Sequence, residues 1–252
     1  MRRFVQAIAS PSDLPDHLPA EAKRAIAASL DHYNLGKGDD VWVVRQVDGD
    51  LQAVQMRWGL IPRWSKTPET PYTTVTTRLE RAPRSRIFGK PWQGQHCLVP
   101  MTGYYKWDRT VRPPMPHFVQ AADGQVLFAA GFWERWERDD TDEPPFESFT
   151  ILTHPNPAIP APLTPDGPVF ISGLVQRMWL SGPQLLADVA LRIASTPELS
   201  AYVVSHAHRN RSRSDYTLVE PRGEGGVGLP CPGTRYSRRR RGQGLTKGSK
   251  FP

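Results

Sequence analysis

The apolar segments of this chain are short and are separated by proline and glycine, which limits what it can fold into. The 252 residues include 26 prolines and 20 glycines. The longest uncharged apolar run, residues 126–133, has only eight residues, whereas a membrane-spanning helix needs about 20. The sequence therefore predicts short strands joined by turns, with no transmembrane helix.

The predicted elements are mostly strands. Strand patterns occur at residues 41–44, 51–56, 97–99, 117–119, 126–130 and 149–153. The first two flank Asp48-Gly49-Asp50, a typical hairpin turn. Helices are predicted over residues 20–30, after Pro19, and again after Ser172. The predicted buried face of this second helix comprises Leu174, Val175, Met178 and Trp179. Many short strands with few helices predict a β-rich α+β domain.

The net charge of +7 is unevenly distributed. Residues 57–112 contain 11 basic and three acidic side chains, whereas residues 113–205 contain four basic and eleven acidic ones. A basic stretch rich in tryptophan and tyrosine indicates a local surface for a polyanion. A solvated charged face would give the same pattern.

The last 31 residues differ from the rest of the chain. Residues 222–252 contain eight glycines, eight basic residues and one acidic residue, with no apolar periodicity. Such a segment cannot bury enough apolar surface to offset its ordering entropy. We therefore predict a domain over residues 1–221 and a disordered basic tail over residues 222–252. The tail is either a weak, salt-sensitive nucleic-acid arm or an extension without a role.

Two cysteines, Cys97 and Cys231, form neither a disulfide framework nor a zinc site. His206-Ala207-His208 lies beside three arginines, so we interpret it as a solvated basic loop rather than a metal site. The start of the chain leads into no long apolar segment. We expect no metal or cofactor, a cytoplasmic location, and a monomer.

Several specific segments occur in a fixed order along the chain. The most specific in combination are Trp58-Gly59-Leu60-Ile61-Pro62-Arg63-Trp64 and Cys97-Leu98-Val99-Pro100 followed by Gly103-Tyr104-Tyr105-Lys106-Trp107. With Arg3-Phe4, Thr76-Thr77-Arg78-Leu79-Glu80 and Ala130-Gly131-Phe132-Trp133-Glu134, the chain resembles the SOS response-associated peptidase (SRAP) family, the abasic-site processing proteins. The resemblance extends from Met1 to about Pro221.

This resemblance implies a β-barrel-like α+β fold with peripheral helices and a positive cleft for single-stranded DNA. In active members an N-terminal cysteine attacks the ring-opened aldehyde of an abasic site, and its amine and thiol close a stable thiazolidine crosslink. A glutamate and a histidine act as acid and base, and an asparagine holds the adduct. The peptidase name refers to proposed self-removal of the leading residue.

The reactive positions of the family are substituted here. They are Met1 for the cysteine, Thr76 for the asparagine, Lys106 for the glutamate and Thr164 for the histidine. Asp166 also takes an arginine position. We therefore assign no catalytic residue and expect a pseudoenzyme, whose crosslinking and self-processing are impaired. Lys106 either lines an anion-binding cleft or is a solvated surface side chain.

The DNA-contacting positions are better retained. The predicted DNA-binding residues are Arg3, Trp64, Arg78 and Arg86. Arginine contacts to phosphates and base stacking on Trp64 would suffice for sequence-tolerant binding. The predicted function is binding of single-stranded DNA, including DNA with abasic sites, in the DNA damage (SOS) response. The alternatives are a Schiff-base lyase acting through the Met1 amine or Lys106, and an interaction module that does not bind DNA.

Overall fold

The structure, a computed structural model, describes residues 1–182 and 184–222. Within these residues the strands are β1 (Phe4–Gln6), β2 (His32–Leu35), β3 (Asp40–Val47), β4 (Asp50–Trp58), β5 (Thr76–Arg78), β6 (His96–Met101), β7 (Gly103–Asp108), β8 (Met115–Ala121), β9 (Leu127–Trp136), β10 (Phe146–Pro155), β11 (Asp166–Pro168) and β12 (Leu199–Val203). The helices are α1 (Ala20–Ala28), α2 (Gly89–Trp92), α3 (Val175–Leu180) and α4 (Gln184–Ile193).

Five strands close into a ring. Strand β3 pairs with β4 and β6, β6 pairs with β9, and β9 pairs with β10, all antiparallel. Parallel pairing of β10 with β4 closes the ring, and β5 and β11 extend from β10. The predicted β-rich, barrel-like α+β fold with few helices is confirmed.

A second, open sheet packs on this ring. Its strand order is β12-β8-β7-β1-β2, and all its pairings are antiparallel. The largest core cluster combines Phe4 and Tyr104 of this sheet with Val43, Trp58 and Phe149 of the ring. The two sheets therefore share one apolar interior.

Alternation along the ring strands explains how both of their faces are buried. Val43 and Val99 face the interior shared with the open sheet, whereas their neighbours Val44 and Leu98 belong to a second cluster. That second cluster also contains Trp179 and other residues of the four helices. Because successive strand residues point to opposite faces, one ring supports a sheet on one side and helices on the other.

The predicted hairpin is confirmed, since β3 and β4 pair from Asp40 to Arg57 around Asp48 and Gly49. These two residues have φ of 52° and 90°, as a two-residue hairpin turn requires. The expectation for Leu174 is wrong. It precedes α3 and is 79% exposed, whereas Trp179 is fully buried.

No helix within residues 1–182 and 184–222 is both long and apolar enough to cross a bilayer. The predicted disorder of the tail concerns residues 223–252, which lie outside the described part of the chain. Arg222, the last described residue, donates its backbone N–H to the carbonyl of Val203 in β12.

Candidate nucleic-acid interface

Strand β7 places Lys106 beside the start of the chain. Its pairing with β1 sets Tyr104 opposite Phe4, and the Tyr105 N–H donates to the carbonyl of Arg3 at 3.1 Å. On its other side β7 pairs with β8, with Lys106 opposite His117. Register therefore brings residues 1–3 next to residues 105–107.

A cavity of about 520 Å³ opens at this place. Four cationic and two aromatic side chains line it, namely Arg2, Arg3, Lys106, Arg109, Tyr105 and Trp107. Met1, Thr164 and Asp166 complete the lining, and Asp166 is the single carboxylate among the described lining residues. The cavity is thus predominantly positive, as a phosphate site requires.

Lys106 is held by two oxygen acceptors. Its Nζ donates to Thr164 Oγ1 at 3.0 Å and to the backbone carbonyl of Asp166 at 2.6 Å. Burial lowers the pKa of Lys106, the Asp166 carboxylate opposes this shift, and Arg109 adds to it. Lys106 is half-buried and bonded across the cavity, which favours a place in the cleft over that of a solvated surface side chain.

The Met1 amine shares this environment. Burial, followed by the charge of Lys106, lowers the pKa of the α-amine, while Asp166 opposes the shift. The Met1 side chain packs against the core shared by the two sheets. Met1, Lys106 and Thr164, three of the four positions at which the resemblance implies a reactive residue, thus line one cavity.

Asp166 connects this cavity to the ring. Strand β11 sets Asp166 opposite Pro155 of β10, and β5 sets Arg78 opposite Thr153 of the same strand. The Arg78 Nη2 lies 3.2 Å from Asp166 Oδ1, and both side chains are substantially exposed. This ion pair holds Arg78, a predicted DNA-binding residue, at the edge of the cavity.

Thr76, the fourth substituted position, does not line the cavity. It lies two residues before Arg78 on β5 and is partly buried. Side chains two apart on a strand share a face. Thr76 and Arg78 therefore project from the same side of β5.

Arg3 reaches from the cavity to the end of β2. Its Nη1 donates to the carbonyl of Asn34 at 3.4 Å. A Cβ at Gly36 would lie 2.3 Å from this nitrogen, so a side chain there would displace the guanidinium. The glycine after β2 therefore permits the observed position of Arg3.

Trp64 and Arg86 form a separate pair that does not line the cavity. The Arg86 guanidinium lies 4.6 Å from the centre of the Trp64 ring, and Trp64 Nε1 donates to the Arg86 carbonyl at 3.4 Å. Trp64 is 41% exposed, as expected for a stacking residue. Of the predicted DNA-binding residues, the structure places Arg3 in the cavity and Arg78 beside it, and leaves Trp64 and Arg86 outside.

Sequence reasoning missed part of this surface. Trp107, which was not among the predicted DNA-binding residues, is only partly buried and has the Arg209 guanidinium 4.6 Å from its ring centre. His208, expected in a solvated loop, is buried and stacks on Tyr105 at 4.3 Å. The basic run after His206 was the available signal, but the fold was needed to place it against β7. The described residues contain no group of three or more potential metal ligands.

Comparison with known proteins identifies the family. A family model described as SOS response associated peptidase (SRAP) matches residues 2–210. The chain belongs to the SRAP family. This agrees with the family resemblance of the sequence motifs and with the barrel-like fold.

Curated relatives of this SRAP protein are named abasic site processing proteins. YMR114C of Saccharomyces cerevisiae is 35% identical over 142 residues, which cover 55% of this chain and 36% of the yeast protein. YedK of Escherichia coli is 25% identical over 197 residues, covering 76% of this chain and 85% of YedK. The chain thus matches about a third of the yeast relative's length and most of the bacterial one.

A solved structure supports the fold. A crystal structure of a Bacteroides thetaiotaomicron protein superposes with a TM-score of 0.71 at 22% identity. The superposition covers 88% of this chain and 99% of the other. At this identity the likeness concerns the SRAP fold alone.

Proposed function

We propose that this SRAP protein binds single-stranded DNA, including DNA with abasic sites, and that the family's crosslinking and self-processing chemistry is impaired. The observation that carries the proposal is the positive cavity in which Arg2, Arg3, Lys106 and Arg109 converge. The names of the curated relatives supply the abasic site as the expected substrate.

The lining suits a nucleic-acid strand for two physical reasons. Cationic side chains that neutralise phosphates release condensed counterions, which supplies sequence-independent affinity. The partly buried rings of Trp107 and, farther away, Trp64 offer surfaces on which bases can stack, worth about 1–3 kcal/mol per base. These contacts are sequence-tolerant, as an abasic-site protein requires.

The impairment follows from the groups that replace the family's acid and base. Where the resemblance places a glutamate and a histidine, Lys106 and Thr164 are hydrogen-bonded to each other. A threonine hydroxyl cannot replace an imidazole as a base near neutral pH, and Lys106 supplies no carboxylate. General acid–base catalysis contributes about 10²–10⁴-fold, so the family reaction should be slow by a comparable factor.

Fluorescence anisotropy tests the binding. We expect salt-sensitive binding of a single-stranded oligonucleotide with one tetrahydrofuran abasic analogue, weaker binding of the duplex, and about three- to tenfold weaker binding by Arg109→Gln. The matched control is Arg192→Gln, an exposed arginine of α4 outside the cavity, which should bind as the unmodified protein does. Absence of salt-dependent binding would instead support the alternative of an interaction module that has lost DNA binding.

A gel assay with a natural abasic site tests the impairment. We expect little heat- and denaturant-stable crosslink over the time in which a competent SRAP enzyme reacts to completion. Rapid formation of such a crosslink would overturn this part of the proposal. Light scattering on the same samples tests the proposed monomer.

A further inference from the structure

We propose that Lys106 is a nucleophilic amine that forms a reversible imine with the ring-opened aldehyde of an abasic site. The inference rests on the proposed function, because that function brings the aldehyde to the cavity. It makes Lys106 the reacting group in the lyase alternative of the sequence analysis.

The two hydrogen bonds of Lys106 leave the lone pair of its nitrogen available when the amine is neutral. The carbonyl oxygen of Asp166 and the hydroxyl oxygen of Thr164 each accept one N–H. A neutral amine can satisfy both acceptors with its two N–H groups and still keep its lone pair. Lys106 is thus positioned as a nucleophile without leaving either acceptor unpaired.

The surroundings of Lys106 lower its pKa, so its neutral amine is easier to reach than that of a free lysine. The described charged groups that line the cavity with it are the Met1 amine, Arg2, Arg3, Arg109 and Asp166. Burial is the largest cause of the lowered pKa of Lys106, and Asp166 only partly opposes it. Desolvation of this kind is a known way to activate a lysine toward carbonyl compounds.

The proposed step is an addition followed by loss of water. The Nζ lone pair attacks the C1′ carbonyl carbon, and a proton moves from nitrogen to the carbonyl oxygen to give a carbinolamine. Loss of the second N–H proton and of the hydroxyl group, as one water molecule, leaves the C=N double bond. Water addition reverses both steps and returns the free amine and the aldehyde.

The imine should remain reversible because the described lining of the cavity contains no thiol to close a thiazolidine ring. Cys97 is fully buried in the core shared by the two sheets, and burial raises the pKa of its thiol. A buried neutral thiol of this kind is unreactive. The adduct therefore needs a reductant to become permanent.

Borohydride reduction tests the proposal on the full-length protein. Incubation with abasic single-stranded DNA and sodium borohydride should give a covalent adduct that peptide mass spectrometry maps to Lys106. In Lys106→Arg, which keeps the charge but offers no amine, the adduct should fall by about tenfold or more at saturating DNA. Lys90→Arg, at an exposed lysine of α2 outside the cavity, should give the unmodified yield.

The outcomes separate this inference from the proposed function. An adduct mapped to another amine, or an unchanged yield in Lys106→Arg, overturns the role of Lys106 even when the DNA binds. Reduction in the presence of 2-deoxyribose 5-phosphate, a small aldehyde, tests the amine without DNA. Labelling of Lys106 by this probe together with failure to bind oligonucleotides would support the reactive amine and overturn the DNA-binding function.

Discussion

Lys106 and Asp166 reverse the charges that the family resemblance assigns to their positions. The resemblance places a glutamate at the first and an arginine at the second, and here a cation and an anion are exchanged. The Asp166 carboxylate acts to raise the pKa of Lys106, against the larger effect of burial, while the ion-pair partner of this carboxylate is Arg78. Relative to the residues that the resemblance implies, the exchange keeps the local charge balance and leaves no carboxylate at position 106.

Because of this reversal, we expect substitutions at Lys106 and Asp166 to have non-additive effects on the free energy of unfolding. Lys106→Glu should destabilise the fold and weaken DNA binding, because it places a second carboxylate beside Asp166. Adding Asp166→Arg should recover part of the loss, with a coupling of about 1 kcal/mol between the two substitutions. Urea unfolding of the two single variants and the double variant measures it. Strictly additive free energies would show that the two positions do not act as a pair.

We predict that the buried His208 makes the stability of the fold depend on pH. Burial lowers the pKa of this histidine below its usual 6.5, and its ring stacks on Tyr105. The unfolded state therefore binds the proton more readily, so stability falls as the pH decreases from about 7 through the lowered pKa and then levels. His208→Phe should reduce this pH dependence, by at most about 1.4 kcal/mol per pH unit. Unfolding free energies at several pH values between 5 and 7.5 check this, and an unchanged slope would contradict it.

Among the elements, strand β7 contributes Tyr105, Lys106 and Trp107 to the cavity. Gly103 of this strand determines how closely β7 packs on β8. A Cβ at Gly103 would lie 2.3 Å from the Phe118 ring and 2.5 Å from the Val119 carbonyl oxygen. Gly103→Ala should therefore push β7 away from β8 at a cost of about 1–3 kcal/mol. Because Lys106 follows three residues later on the same strand, DNA binding should weaken as well.

Gly131→Ala is the matched control for this element. Its Cβ would lie 2.5 Å from the Thr150 carbonyl oxygen, so it strains the β9–β10 pair of the ring. We expect a similar loss of unfolding free energy with DNA affinity largely retained under conditions where the protein is folded. Equal losses of affinity in both variants would show that the site responds to general destabilisation rather than to β7.

Local sequence patterns predicted individual elements better than they predicted which elements lie next to one another in the fold. The β3–β4 hairpin was predictable because its turn requires Asp48 and Gly49 in a particular conformation. Strand β7 was not predicted, since Tyr104-Tyr105-Lys106-Trp107 shows no clear alternation. The contact of Lys106 with Thr164 joins residues 58 positions apart, and it depends on the registers of β7 and β11. Such registers follow from the shared core and not from local sequence.

For the molecule as a whole, the ring and the open sheet have different roles. The ring strands are buried on both faces between the open sheet and the helices. The open sheet carries β1 and β7, whose polar ends form the cavity. The core can therefore retain the SRAP fold while Lys106 and Thr164 change, because these two side chains line the cavity and do not belong to the shared core.

The distribution of charge over the whole chain leads to the last prediction. Residues 223–252 contain seven basic residues and one acidic residue, so removing them lowers the formal net charge from +7 to +1. If this segment acts as a nucleic-acid arm, its contacts should add to the salt dependence of binding, by roughly 0.7 in the slope of log K against log salt per phosphate. Replacing Arg238, Arg239, Arg240 and Arg241 by glutamine keeps the chain length and should reduce that slope by up to about 3. Anisotropy titrations between about 50 and 200 mM salt measure it. A slope equal to that of the unmodified protein would identify the segment as an extension without a role in binding, and would leave the cavity around Lys106 as the source of the salt dependence.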